Sequence, residues 1–110
     1  MHARMLQLTV KPGQVKEVAK KLAEKALPLL KQQEGFVHAI AMTSERGDQF
    51  CGISIWKTKQ DADRWTSGKS QELLDTVIKP FLRQEPTILS FNVEASTIEE
   101  MGMGRAAGSD

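Results

Sequence analysis

The stretch FVHAIAMTSERGDQFCGISIW, residues 36–56, decides the fold. Two apolar runs, residues 36–43 and 50–56, flank a polar sequence at residues 45–48, and this pattern is typical of a β-hairpin. With residues 45–48 as the turn, the hairpin has a defined register. The predicted cross-strand pairs are Met42 with Cys51, Ile40 with Ile53, and His38 with Ile55.

Upstream of the hairpin, the chain predicts one strand and one long helix. Residues 4–10 alternate with period two, as in a β-strand. Residues 15–30 carry apolar side chains at helical spacing. Pro28 lies near the end of this helix and predicts a kink or a break near Leu27, because proline has no backbone N–H to donate. One face of the strand carries Arg4, Leu6, Leu8 and Val10.

Downstream of the hairpin, the pattern predicts two helices and a last strand. Thr58 and Asp61 have the spacing of a capping box, which predicts a short helix that Gly68 ends. A second helix follows directly, with one apolar stripe over residues 73–82. Residues 88–94 alternate again, as in a strand. The order β-α-β-β-α-β predicts an α+β fold in which the helices cover one face of a four-stranded antiparallel sheet.

This arrangement leaves one face of the sheet without helices. The hairpin strands are apolar on both faces, so a second layer must cover the bare one. We expect a homodimer that packs sheet to sheet, with coverage by the tail as the alternative. The domain is expected to span residues 1–95 and the tail residues 96–110. The predicted hairpin faces are Phe36, Ile40, Met42, Ile53 and Ile55 on one side and Val37, Ala39, Ala41 and Trp56 on the other.

Charge and cysteine content exclude several classes of partner. The chain of 110 residues has 15 Lys and Arg against 14 Asp and Glu, a formal net charge of +1. We therefore expect no nucleic-acid partner and no membrane partner, because both need a basic surface. Cys51 is the only cysteine, residues 1–10 lack the apolar run of a signal peptide, and no stretch approaches a membrane span. These features favour an untargeted, cytoplasmic protein.

The segment IWKTKQDADRW, residues 55–65, together with Glu34-Gly35-Phe36, resembles the antibiotic biosynthesis monooxygenase (ABM) superfamily. It is similar above all to the heme-degrading branch, which has a tryptophan where Trp65 stands. The resemblance covers residues 5–93. It implies a ferredoxin-like domain that dimerises into an α/β barrel, with a pocket between helices and sheet in each subunit.

The sequence differs from members of that superfamily at the positions of their catalytic residues. Heme-degrading members have an axial histidine at the position of Asp75 and an asparagine at the position of Leu6. We expect no cofactor, with heme as the disfavoured alternative, because aspartate is a poor axial ligand and leucine makes no hydrogen bond. The cofactor-free branch, which oxidises electron-rich polycyclic phenols, often has asparagine at the position of Asp61. An aspartate there is an acceptor or a base, not an amide donor.

The candidate site residues combine stacking and proton-transfer chemistry. Trp65 is the first catalytic candidate, because an indole ring stacks on a flat substrate and its N–H donates a hydrogen bond; core packing is the alternative. His38 and Asp61 are candidate proton acceptors, and a structural or dimer-face role is the alternative for His38. We expect no metal site, because His2, His38 and Cys51 lack ligand spacing. The candidate substrate-binding residues are Ser54, Trp56 and Asp75.

Small residues on the hairpin bear on the existence of a pocket. Ala39, Ala41, Gly52 and Ser54 fall on one face in the predicted register. They either open a cavity or let the helices pack closer, and the residues alone leave both readings open. Our first hypothesis is a cofactor-independent monooxygenase acting on a small aromatic or quinol-like ligand in an apolar pocket. A non-catalytic small-molecule-binding module and a heme-binding protein are the alternatives.

Overall fold

The hairpin forms half of a sheet that carries helices on one face. A computed structural model describes residues 1–97. The elements are β1 (His2–Thr9), α1 (Val15–Lys31), β2 (Phe36–Thr43), β3 (Gln49–Trp56), α2 (Lys59–Trp65), α3 (Gln71–Leu73) and β4 (Thr87–Asn92). The strand order is β2-β3-β1-β4 and all neighbours are antiparallel. This confirms the predicted ferredoxin-like β-α-β-β-α-β fold. Within residues 1–97 no helix is long and apolar enough to cross a membrane.

The hairpin has the predicted register, with one face assignment corrected. The three predicted pairs are present. A β-bulge between Phe36 and His38 shifts the pattern by one residue, so Phe36 lies opposite Trp56 on the helix side of the sheet. The two rings meet edge to face with centroids 5.6 Å apart. Phe36 therefore belongs to the core and not to the face of Ile40. The confirmed pairs are Met42 with Cys51, Ile40 with Ile53, and His38 with Ile55.

Helix α1 continues through Pro28 to Lys31, so the predicted break near Leu27 does not occur. Pro28 is exposed, whereas Ala26 and Leu30 on either side of it are buried. Both buried residues pack in the same cluster as Trp56. Their burial holds the last turn of the helix in place despite the backbone hydrogen bond that proline cannot make.

The second helical segment, residues 59–81, consists of two helices that meet at a kink, as the sequence predicts. Thr58 caps it as predicted, because its hydroxyl accepts a hydrogen bond from the backbone N–H of Asp61. Gly68 ends the first of these helices. Its φ of −107° and ψ of −106° are not helical values, so the helical hydrogen bonding is interrupted here. The second helix contains α3 and finishes in a 3₁₀ turn at Phe81.

Two hydrophobic clusters join the helices to the sheet. The first forms around Leu8 of β1 and Phe50 of β3, and the second forms around Trp56 at the end of β3. Side chains of β1 at even positions thus face the helices, and those at odd positions face the opposite side. The buried members are Leu8, Val10, Val15, Val18, Phe50, Leu74 and Ile78 in the first cluster and Ala26, Leu30, Trp56, Ala62 and Trp65 in the second.

The opposite side of the sheet, the open face, is apolar and uncovered by other described residues. Ile40 and Met42 on β2 are 45% and 42% exposed, and Leu89 and Phe91 on β4 are 38% and 47% exposed. Single exposed apolar residues are ordinary, but a row of them across a sheet marks an interaction surface. The alternative of coverage by the tail concerns residues 98–110, which lie outside the described part. The open face is formed by Ala3, Met5, Gln7, His38, Ile40, Met42, Cys51, Ile53, Ile55, Thr87, Leu89 and Phe91.

Gly35 gives a direct test of how α1 is joined to the hairpin. Gly35 and Gly47 both have φ of +81°. A Cβ on Gly35 would lie 2.0 Å from the Asp61 carboxylate, whereas a Cβ on Gly47 would meet nothing within 4 Å. We expect Gly47→Ala to cost about 1 to 2 kcal/mol of unfolding free energy, from the left-handed backbone alone. Gly35→Ala should cost about 2 kcal/mol more, because the capping carboxylate must move.

Urea denaturation of the two variants measures this difference. Equal losses of stability in Gly35→Ala and Gly47→Ala would show that the contact with Asp61 contributes nothing.

Candidate functional site

A cleft lies between α1, the second helical segment and the sheet. Its empty space, with the open mouth included, is about 780 Å³. Leu22 and Leu30 of α1 form one wall, and Leu73 and Leu74 form the facing wall. Because members of both hydrophobic clusters line it, the cleft lies where the two clusters meet. A concave and mostly apolar space of this kind is the usual form of a small-molecule site.

The floor of the cleft is made of small residues on the hairpin. Ala39 pairs with Ser54 and Ala41 pairs with Gly52, and all four line the cleft. Gly52 leaves room beside the Phe50 ring, whose nearest atom would be only 3.1 Å from an added Cβ. The predicted face of these residues is therefore correct. Of the two readings left open by the sequence, the cavity is the one that the structure contains.

Trp65 supplies an aromatic wall. It ends α2, it is 8% exposed, and it lines the cleft. Its ring centroid lies 6.2 Å from that of Trp56, with the planes tilted by 32°. Trp56 backs Trp65 from the core, so the indole has one packed side and one side toward the cleft. A flat ligand can stack on such a ring.

Arg4 provides the charge of the cleft, and sequence reasoning did not single it out. Its side chain is only 10% exposed. Nε donates to Nε2 of His2 at 3.3 Å, Nη1 donates to Oγ1 of Thr66 at 2.9 Å, and Nη2 pairs with the Asp63 carboxylate. The signal in the sequence was a charged residue on the strand face shared by Leu6 and Leu8. A charge on such a face is buried and must find partners.

Asp63 joins Arg4 to the protein surface. One carboxylate oxygen contacts Arg4, and the other accepts a hydrogen bond from Nζ of Lys59 at 2.9 Å. Hydrogen bonds from Lys59 and from Arg4 lower the pKa of Asp63 from 3.8 to about 2. Burial, followed by the nearby charge of Arg4, lowers the pKa of His2. The neutral form of this imidazole is the one that can accept the bond from Arg4.

The structure brings only part of the predicted site together. Trp65 and Ser54 line the cleft. Trp56 is fully buried in the core, and its Nε1 donates to Oγ of Ser54 at 2.9 Å. It thereby orients Ser54 without reaching the cleft itself. His38 lies on the open face, opposite Ile55, on the other side of the sheet from Trp65.

Both aspartates proposed from the sequence also lie away from the cleft. Asp61 is 8% exposed and its carboxylate is occupied by two neighbours. One oxygen accepts from the Thr58 hydroxyl at 2.9 Å, and the other accepts from Nη1 of Arg64 at 3.1 Å. This carboxylate holds the start of α2 against the α1–β2 loop. Asp75 is exposed and accepts a hydrogen bond from Gln71.

The described cleft does not fit heme or a catalytic metal. Its lining contains no histidine, cysteine or carboxylate among residues 1–97. At the position of the heme-degrading branch's axial ligand, Asp75 points to solvent. No group of three metal-ligating side chains occurs in the part of the chain that the structure describes. Burial raises the pKa of the Cys51 thiol, which favours the inert protonated form.

The Arg4–Asp63–Lys59 contact predicts a specific acid sensitivity. A carboxyl with a lowered folded-state pKa adds stability above its unfolded pKa and loses it as the pH falls through the folded value. For Asp63 this window runs from 3.8 down to about 2. We expect Asp63→Asn to flatten the loss of stability across that window.

Chemical denaturation at a series of acidic pH values measures the effect. Asp75→Asn is the matched control, because the Asp75 carboxylate bonds only an amide. A slope of stability against pH that is the same in Asp63→Asn and in the unmodified chain would refute the ion-pair account.

Several solved structures share this fold. Among solved structures, NE2512 of unknown function from Nitrosomonas europaea is 23% identical, with TM-score 0.78 over 88% of this chain and 92% of that chain. A monooxygenase from ActVA-Orf6 of Streptomyces coelicolor, in complex with Nanaomycin D, is 17% identical, with TM-score 0.74 over 88% and 90%. SnoaB, a cofactor-independent oxygenase from Streptomyces nogalater, is 11% identical, with TM-score 0.69 over 87% and 95%. No curated protein matches the chain.

These structural likenesses are at low identity and show the fold. The family follows from the sequence itself, because the family model described as antibiotic biosynthesis monooxygenase matches residues 1–72, well over half of the chain. The chain belongs to the antibiotic biosynthesis monooxygenase family.

Proposed function

We propose that this protein is a cofactor-independent monooxygenase that oxidises a small, flat aromatic or quinol-like molecule in the cleft. The observation that carries the proposal is the cleft itself. It is apolar, it has an indole wall at Trp65, and its polar side chains gather near Arg4 and Ser54. Membership of the family and the fold shared with a cofactor-independent oxygenase support the same reaction class.

The chemistry requires no redox group from the protein. An ionised phenol is electron-rich and itself reduces oxygen. One oxygen atom enters the ring, the two hydrogens lost by the phenol leave in water with the other oxygen atom, and the product is a quinone. For phenol the balance is one phenol plus one O₂ giving one quinone plus one water. The contribution of the cleft is to orient the ring and to exclude bulk water from the reactive intermediate.

Proton transfer is reassigned in this proposal. His38 and Asp61 were the candidate acceptors, but neither lines the cleft, and the Asp61 carboxylate is already bonded to Thr58 and Arg64. Trp65 keeps its proposed role in stacking and orientation. Ser54 keeps a proposed ligand-binding role, because its hydroxyl hydrogen is available while its oxygen accepts from Trp56.

A non-catalytic binding module is the second candidate. It is favoured by one observation: among the described lining residues, the polar groups are few and none is a general base. The two functions differ in oxygen consumption. A carrier binds an aromatic ligand and leaves dissolved oxygen unchanged, whereas the proposed oxygenase consumes one O₂ for each molecule oxidised.

We also propose that the functional unit is a homodimer, with the open faces of two copies packed together as in a dimeric α/β barrel. The open face carries no lysine, arginine, aspartate or glutamate, so two copies meet there without like-charge repulsion. A two-fold axis through a self-complementary apolar sheet is the economical way to cover it. The cytoplasmic location stays a prediction, based on the single cysteine.

Blocking the floor of the cleft tests the proposed function. Ala41→Phe places a ring in the cleft, so we expect at least a tenfold loss of oxygen uptake with a naphthol or hydroquinone substrate, on the order of the cost of overfilling a packed site. Thr43→Phe is the matched control, because Thr43 lies two residues further along the same face of β2 and does not line the cleft. An oxygen electrode measures both variants. Equal uptake by Ala41→Phe and Thr43→Phe would place the reaction elsewhere.

Charge on the open face tests the homodimer. Ile40→Glu puts a carboxylate at the centre of the proposed interface, where it would be buried without a partner. We expect sedimentation to report a dimer for the unmodified chain and a monomer for Ile40→Glu. Gln60→Glu adds the same charge on the exposed side of α2 and should leave the dimer intact. A monomeric unmodified chain at micromolar concentration would exclude the homodimer.

A further inference from the structure

Arg4 is the one ionisable side chain among the described residues that line the cleft. In the β1–β3 register it lies directly opposite Ser54, so the two side chains are neighbours on the helix side of the sheet. Thr66, which holds Nη1 of Arg4, also lines the cleft. A cationic group and two hydroxyl groups therefore converge at one end of an apolar space.

Arg4 has hydrogen-bonding capacity left over. A guanidinium has five N–H donors. Three of them serve His2, Thr66 and Asp63. The other two make no hydrogen bond with any residue in the range 1–97. These two N–H groups are available to a ligand oxygen in the cleft, which Arg4 lines. The three existing hydrogen bonds hold the guanidinium in a fixed orientation.

The charge around Arg4 is only partly balanced. Asp63 is the single carboxylate bonded to Arg4, and its second oxygen is bonded to Lys59. One negative charge is therefore shared between two positive charges, and His2 contributes none while it accepts from Arg4. The cluster of Arg4, Asp63 and Lys59 has a net charge of +1. An anion bound at the cleft end of this cluster would neutralise it in a poorly hydrated place, where charge-assisted bonds are strong.

We propose that Arg4 binds an ionised oxygen of the ligand, and that the substrate is therefore an acidic phenol or enol that enters the cleft already deprotonated. The lack of a base among the described lining residues supports the second part, because nothing there would take the proton. This inference rests on the proposed function, because the ligand is a substrate only if the protein is an oxygenase. The anion site itself holds for a carrier as well.

A consequence for the reaction follows from this arrangement. The proton is lost to solvent before binding, so the fraction of ionised substrate sets the rate at low substrate concentration. We expect kcat/KM to rise with pH and to level off around the pKa of the substrate itself. A series of phenols of graded acidity should shift the midpoint of the profile in step with their own pKa values. A general base on the protein would instead give one midpoint for every substrate.

Calorimetric titration with a matched ligand pair tests the anion site. The compound 2-hydroxy-1,4-naphthoquinone is an ionised enolate at neutral pH, because it is a vinylogous carboxylic acid, and its methyl ether has the same rings without the charge. We expect the unmodified protein to bind the enolate at least about tenfold more tightly than the ether, as for a hydrogen bond to a charged group. Arg4→Gln should remove this preference, and Arg4→Lys should retain part of it. Arg46→Gln, which removes an exposed guanidinium at the hairpin turn, should retain all of it.

Three results overturn the inference. Equal affinity for enolate and ether in the unmodified protein, or binding of neither, refutes the anion site, as does an intact preference in folded Arg4→Gln. If circular dichroism shows that Arg4→Gln is unfolded, the comparison of the two ligands in the unmodified protein decides by itself. Oxygen uptake is a second readout, independent of the binding preference. Enolate preference without oxygen uptake keeps the anion site and removes the oxygenase, whereas uptake with no charge preference keeps the oxygenase and removes the role of Arg4.

Discussion

The burial of Trp56 is the constraint on which the rest of the structure depends. This side chain is fully enclosed at the end of β3, where α1 and α2 reach the sheet. Its ring contacts those of Phe36 and Trp65, and its N–H is satisfied by Ser54. Beside this large indole the hairpin carries the small residues Ala39, Ala41, Gly52 and Ser54, which leave a gap between helices and sheet. That gap is the cleft, the space in which we propose that a ligand binds.

Much of the fold follows from local pattern and chemistry. The hairpin register came from turn length and alternation alone, and the cap at Thr58 came from its spacing to Asp61. The deviations have physical causes that a pattern does not contain. The bulge beside Phe36 lets an aromatic ring join Trp56, and the burial of Ala26 and Leu30 carries α1 past Pro28. In each case tertiary packing overrides a local rule.

The site was less predictable than the fold, for a related reason. Residue type suggested His38 and Asp61 as site residues. His38 lies on the side of the sheet away from the cleft, and the Asp61 carboxylate is bonded to Thr58 at the start of α2. Arg4 was visible as a charge on an apolar strand face, and its importance emerges only when Asp63 and Thr66 arrive from residues about sixty positions away. Trp65, which the family resemblance suggested, lines the cleft. The resemblance did not predict the positive charge of Arg4 in the same cleft.

The central claim is that the protein lets a bound aromatic anion react directly with oxygen. The most direct measurement supplies the purified protein, without flavin, heme or metal, with an acidic naphthol under isotopically labelled oxygen and analyses the product by mass spectrometry. The account predicts a quinone that carries one labelled oxygen atom, with one O₂ consumed per naphthol. A protein that binds the naphthol and yields no labelled product, or that yields it only after a cofactor is added, would contradict the account.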